Sequence, residues 1–154
     1  MKPQLLGLII VLLSPIVGCA ARQPLVVECS SSVKGSRIGG PALVGQEYGV
    51  QATPIPVNSV QFADWSTAKK LAIQHLFASR TPTNTVQLTA RFISCSDEVV
   101  SIKVRASFLD SNQMPTEPTS AWQTVFLQPR LTAVYAERST AKNASSYLVE
   151  VMGN

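Results

Sequence analysis

Two stretches of the chain alternate apolar and polar residues with a period of two, and that period leaves few folds open. In "VVSIKVRASFLD", Val100, Ile102, Val104, Ala106 and Phe108 alternate with Ser101, Lys103, Arg105 and Ser107. In "TVQLTARFIS", Val86, Leu88, Ala90 and Phe92 alternate with Gln87, Thr89 and Arg91. Successive side chains of a strand point to opposite faces, so each stretch reads as a strand with one buried and one wet face. The short polar link "SCSDE" between them predicts an antiparallel hairpin. Three further runs, "AWQTVFLQ", "LTAVYAER" and "SYLVEVM", supply more strands, and Pro129 in "QPR" suits a tight turn between the first two.

The segment "WSTAKKLAIQHLFASR" reads in two ways. Ser66 can cap a helix that carries Ala68, Leu71, Ala72 and His75 on one stripe. Leu71 to Ser79 can instead form a strand that turns at "TPTN" and pairs with "TVQLTARFIS". The strand is preferred because it completes a second hairpin. Half-apolar strands bury their faces by stacking, so the expected fold is all-β. An antiparallel two-layer sandwich, immunoglobulin-like in general plan and of about seven strands, should occupy residues 57–154.

The N-terminus has a different character. The apolar run Leu5 to Val17 is 13 residues long, against roughly 20 needed to span a hydrocarbon core as a helix. Lys2 before the run, Pro15 near its end and small residues after it have the layout of a secretory signal. The end, "IVGC", resembles the lipobox of bacterial lipoproteins, in which the cysteine is lipidated and the preceding peptide removed. Residues 1–18 would then be lost, and Cys19 would open the mature chain as its lipidation site. Two or three acyl chains hold more firmly than the marginal grip of one. By resemblance to lipoprotein sorting, Ala20 after the cysteine favours the outer membrane, with the domain facing the periplasm.

From residue 19 to 56 the chain is rich in Ser, Gly and Pro, in the manner of a tether or loosely packed arm. Short apolar pieces such as "PLVVEC" and "YGVQA" could add a strand to the domain edge. Cys29 and Cys95 would meet an oxidising compartment and offer one possible disulfide; the rivals are two buried thiols or one reactive thiol, and geometry decides. A bridge there would close a loop worth about 4 kcal/mol in the chain-entropy model.

The folded part is chemically quiet. Without residues 1–18 the chain keeps 12 basic and 9 acidic side chains, scattered along its length. Only Lys69 and Lys70 are adjacent, and no aromatic residues alternate with the charges, so a nucleic-acid groove is not expected. His75 is the single histidine and no C-x-x-C occurs, which argues against metal and against paired-histidine catalysis. Asp97 and Glu98 are neighbours whose side chains point apart, as in a solvated turn. No catalytic residue and no cofactor beyond the lipid on Cys19 is expected. Trp65 and Trp122 read first as anchors of the fold; if exposed in a groove, either would suit a cell-wall or small-ligand binding module.

The runs "VQLTARFISCSDEVVSIKVRASFLDSNQMP" and "SAWQTVFLQPRLTAVYAERSTAKNASSYLVEV", over about residues 85–151, resemble the YcfL-like family of small bacterial outer-membrane lipoproteins, a domain of largely unknown function. Cys95 stands where the family has an Asn-rich turn. Asp110 matches its aromatic-Asp-Gly turn, with Asn112, a residue that tolerates positive φ, in place of glycine. Trp122 matches a Trp-led strand. The resemblance implies a fold and a compartment. The expected function is a non-enzymatic lipoprotein that docks to another envelope protein, an accessory of a secretion system or other envelope-spanning assembly by analogy of architecture. Long connections on a rigid sandwich carry recognition, so the expected partner contacts are Met114, Pro115, Thr116, Glu117 and Trp122 of "DSNQMPTEPTSAW", together with the arm around "SVKGSRIGGPALVG".

Overall fold

The computed structural model describes Cys29, Gly35, residues 39–45 and residues 56–154. The signal segment, Cys19, Ala20 and most of the tether lie outside the described residues.

The period-two stretches become strands whose burial follows the alternation. β5 (Val100–Leu109) buries every second residue throughout, and β4 (Val86–Ser94) does so as far as Phe92, after which Ile93 and Ser94 are buried too. The other elements are β1 (Ala42–Leu43), β2 (Val60–Phe62), α1 (Trp65–Lys70), β3 (Leu71–Arg80), β6 (Gln123–Leu127), β7 (Thr132–Arg138) and β8 (Ser146–Gly153). They form two sheets, as expected of a sandwich. One, sheet A, has the order β1-β8-β5-β6, with β2 also pairing with β8; the other, sheet B, is β3-β4-β7. Gly40 donates to the Asn58 carbonyl and Val44 to that of Ser145, so residues 39–45 belong to the sandwich.

The expected hairpin of β4 with β5 does not form. β4 pairs with β3 on one side and β7 on the other, so both its edges are filled. Its last residue, Ser94, donates to the Leu131 carbonyl (2.9 Å), and Cys95 donates to that of Lys70 (2.7 Å). The link 95–99 therefore crosses from one sheet to the other. The buried faces of β4 and β5 meet across the core instead of lying side by side, and either arrangement satisfies the same alternation. Val86, Leu88, Ala90 and Phe92 face Ile102, Val104, Ala106, Phe108, Val149 and Val151 in one core cluster.

The ambiguous segment is both elements in turn. Asp64, not Ser66, caps α1: its Oδ1 accepts from the Thr67 N–H at 2.7 Å and from the Ser66 hydroxyl at 2.7 Å. Six residues later the chain becomes β3, which pairs with β4 as the preferred reading has it. Cys29 and Cys95 are joined in a disulfide with their Cα atoms 5.7 Å apart. Beside it, Arg130 pairs with Asp97 at 2.9 Å, tying the β4–β5 and β6–β7 links together.

Candidate interaction surface

The connection between β5 and β6 looks in sequence like a free loop, yet most of it is laced to its neighbours. Asp110 Oδ1 accepts from the N–H groups of Asn112 (2.8 Å) and Met114 (3.0 Å). The positive φ of this turn falls on Gln113, at 64°, and not on Asn112. With the Asp110 carboxylate closing the turn, the left-handed residue is needed at its exit, where the chain doubles back. Thr116 then donates to the Phe108 carbonyl (3.0 Å) and Ser120 to that of Ala106 (2.9 Å), continuing the edge of sheet A ahead of the start of β6. Glu117 accepts from the N–H of Thr140 at 2.9 Å and also from its hydroxyl. Burial raises the Glu117 pKa, but the hydrogen bonds from Thr140 and Ser139 outweigh it and hold the carboxyl below its ordinary value. Thr116 and Glu117 are therefore engaged within the fold, and Met114 is left as the exposed tip.

Trp122 follows this arm and lies on the outer face of sheet A. The Arg105 guanidinium stands 4.4 Å from its ring centroid. The same guanidinium grips Glu150 of β8 with two bonds, Nε to Oε2 at 2.8 Å and a terminal nitrogen to Oε1 at 3.0 Å. Such a planar two-pronged pair fixes orientation, and a cation on an indole face adds about 0.5–1 kcal/mol at an exposed site. The row Trp122–Arg105–Glu150 thus runs from the residue before β6 across β5 to β8. Trp65 opens α1 at the end of the sandwich and is half exposed, so the two indoles occupy separate surfaces.

Beneath Trp122, the open side of the sandwich is closed by a polar chain. The Ser120 hydroxyl accepts from the Ala106 N–H (2.9 Å) and lies 3.3 Å from the Tyr135 hydroxyl. The Tyr135 hydroxyl donates to Glu137 Oε2 (3.3 Å), which also accepts from Gln123 (2.9 Å). Burial pushes the Tyr135 pKa well above its ordinary value. The two sheets are joined here by neutral hydrogen bonds ending on one carboxylate.

Sequence reasoning missed three strongly exposed apolar groups. Phe126, on the outer face of sheet A opposite Ser101, is 64% exposed, and Leu131 and Val134 are each 58% exposed, Val134 on the outer face of sheet B opposite Arg91. They lie inside runs that read as core strands. The signal available was phase: Gln123, Val125 and Leu127 take the inward side of β6, so Phe126 must share the outward side with Thr124. Between Ala121 and Ala136 the single charged residue is Arg130, already paired with Asp97.

The far end carries a polar cleft of about 470 Å³ bordered by Asp64, Thr67, Lys70, Glu98, Ser101 and Gly153. Neither tryptophan lines it. Asp64 Oδ2 accepts from the Gly153 N–H at 3.1 Å, so its carboxylate latches the end of β8 to α1. A Cβ at position 153 would stand 2.7 Å from Thr67 Oγ1, so this close approach needs glycine. The Ser66 hydroxyl first, then the Thr67 and Gly153 N–H groups, hold Asp64 far below the usual carboxylate range against the opposing effect of burial. His75 faces Arg91 in the β3–β4 register; burial, and then the Arg91 charge, lower its pKa. Among the described residues no group of three or more His, Cys, Asp or Glu side chains is placed to hold a metal, and no helix is long and apolar enough to cross a membrane.

No family model matches the chain, and no curated protein matches it. Solved structures do. Campylobacter jejuni cj0090 superposes with a TM-score of 0.53 at 9% identity, over 62% of this chain and 98% of that one. A DUF1425 family member from Shewanella sp. pv-4 gives 0.48 at 13% identity, over 53% and 75%. A Bifidobacterium adolescentis GH3 β-glucosidase gives 0.34 at 21% identity, where this chain spans 14% of the enzyme. The likeness to the first establishes a β-sandwich shared with a small bacterial protein.

Proposed function

We propose that this chain is a non-enzymatic binding module, held at the outer membrane by lipid on Cys19 and docking to another envelope protein through the outer face of sheet A. The observation that carries the reading is the pair of exposed aromatics Trp122 and Phe126 on the outer face of sheet A, with Phe126 opposite Ser101 and Trp122 against Arg105. Exposed aromatics on a rigid frame are what partner binding uses, since little conformational freedom is lost on contact. The two-pronged Arg105–Glu150 pair beside Trp122 supplies orientation. The anchor rests on the "VGC" sequence, and the Cys29–Cys95 bridge fits an oxidising compartment. Accessory membership of an envelope-spanning assembly belongs to the same proposal.

Two variants test its halves separately. Cys19→Ser should move the protein from the membrane to the soluble fraction; retention in membranes would contradict the anchor. Trp122→Ala with Phe126→Glu should keep the protein folded and anchored yet abolish recovery of a specific envelope protein after mild crosslinking. Equal recovery from parent and variant would contradict docking on this face.

A further inference from the structure

Sheet B ends on β7, and the geometry of that edge is fixed by two hydrogen bonds. The Ser94 N–H donates to Leu131 and the Ser139 N–H to Val86, both at 2.9 Å, at opposite ends of the β4–β7 ladder. Residues of an antiparallel strand direct their N–H and C=O groups alternately to one side and the other. Counting inward from both bonds, Ala133, Tyr135 and Glu137 bond to β4, and Thr132, Val134 and Ala136 present their backbone groups away from it. Among the described residues no backbone hydrogen bond occupies those outer groups.

Edges of this kind are ordinarily guarded by a charge, a proline, a bulge or a covering segment. The β3 edge of the same sheet is partly covered, since Gly45 donates to the Ala78 carbonyl at 2.8 Å. β7 has an unbroken register, no proline, and no charge from Thr132 to Ala136. Val134 stands more than half exposed on it. An extended strand with no like charge to set against Arg130, Glu137 or Arg138 is the matching occupant, and β7, uncharged from Thr132 to Ala136, is itself such a strand.

We propose that the occupant is a second copy of this chain, paired β7 to β7 in antiparallel fashion about a two-fold axis at Tyr135, joining two copies of sheet B into one six-stranded sheet. Length and charge together select that register: Tyr135 is the midpoint of Thr132–Arg138, so centring there pairs β7 along its whole length. Centring on Val134 would set Arg138 opposite Arg130 of the second copy, two cations facing at each end. Centring on Tyr135 sets Val134 opposite Ala136 and Arg138 opposite Thr132, and no like charges meet. The inference needs neither the lipid anchor nor an envelope partner, so it stands or falls apart from the proposed function.

The test is register-specific. Full-length copies bearing Val134→Cys and Ala136→Cys, distinguished by tags, are co-expressed, extracted in mild detergent and oxidised. The proposed pairing puts those two Cα atoms about 5.5 Å apart, within disulfide reach, while two copies of either variant alone stand beyond the roughly 7 Å limit. A mixed dimer at least about tenfold more abundant than either self-dimer is expected. No mixed excess, or crosslinks to a different protein instead, overturns the proposal. Val134→Lys should leave the melting temperature near that of the parent and weaken association by at least about tenfold, roughly 1.4 kcal/mol; undiminished dimer in this variant would equally overturn it.

Discussion

At the scale of single residues, the fold depends on a few polar groups in places where apolar packing cannot decide geometry. Asp64 caps α1 and receives the end of β8, and its pKa is held down in the folded state. A carboxyl with a depressed folded pKa contributes stability that is present above its unfolded value of 3.8 and lost as pH falls through the folded one. Asp64→Ala should therefore lower unfolding stability by about 1 kcal/mol at neutral pH, the usual worth of an N-cap. Urea melts from neutral pH to below 4 should show the parent losing stability faster than the variant. His75 has the same sign, since its lowered pKa makes protonation below 6.5 destabilising. Neither Asp64 as the cap nor Gln113 as the left-handed residue was legible in sequence. Ser66 is as good a cap in general as Asp64, and Asn112 tolerates positive φ better than Gln113; the Gly153 N–H of β8 on Asp64 and the Asp110 carboxylate on the Asn112 and Met114 N–H groups go with the observed choices.

At the scale of elements, the alternation reported faces faithfully and partners poorly. "TVQLTARFIS" and "VVSIKVRASFLD" became strands with the expected residues inside, because burial depends on period alone. Their pairing depended on which strand had a free edge, and β7, some forty residues away, took the place beside β4. The interaction surface was legible to the same degree. Trp122 and Met114 stood out as an aromatic and an apolar group in a polar stretch, while Phe126, Leu131 and Val134 passed as core. Thr116 and Glu117, read as partner contacts, have intramolecular bonds that hold the arm in place. The polar chain Ser120–Tyr135–Glu137 closes the gap between β6 and β7. Tyr135→Phe removes its middle member without changing the packing, and should cost about 1 kcal/mol. Thermal or urea unfolding of the variant beside the parent measures this, and an unchanged midpoint would mean that the chain of hydrogen bonds contributes nothing net.

At the scale of the whole molecule, the sandwich is closed at one end by covalent and ionic links and bridged along its β6–β7 side by hydrogen bonds. The Cys29–Cys95 bridge joins residues 66 apart in sequence. Replacing both cysteines by serine should lower stability by about 4 kcal/mol in the chain-entropy model, with the folded domain's β-sheet circular dichroism retained at low temperature. That end also carries the Asp97–Arg130 pair, so both links between the sheets are anchored together there. On the β6–β7 side, Phe126 is exposed on the outer face of sheet A and Val134 on that of sheet B. A face and an edge of one scaffold can thus serve separate contacts, the outer face of sheet A for an envelope partner and the β7 edge of sheet B for a second copy.

The central claim is that the Trp122–Phe126 face recognises a protein of the envelope. Its most direct measurement places a photoreactive amino acid at Phe126 in the intact, full-length protein, with Arg91 on the outer face of sheet B as the control position. Illumination of living cells should give a discrete adduct with one envelope protein from position 126 and none from position 91. No adduct from position 126, or the same pattern from both positions, would contradict the account.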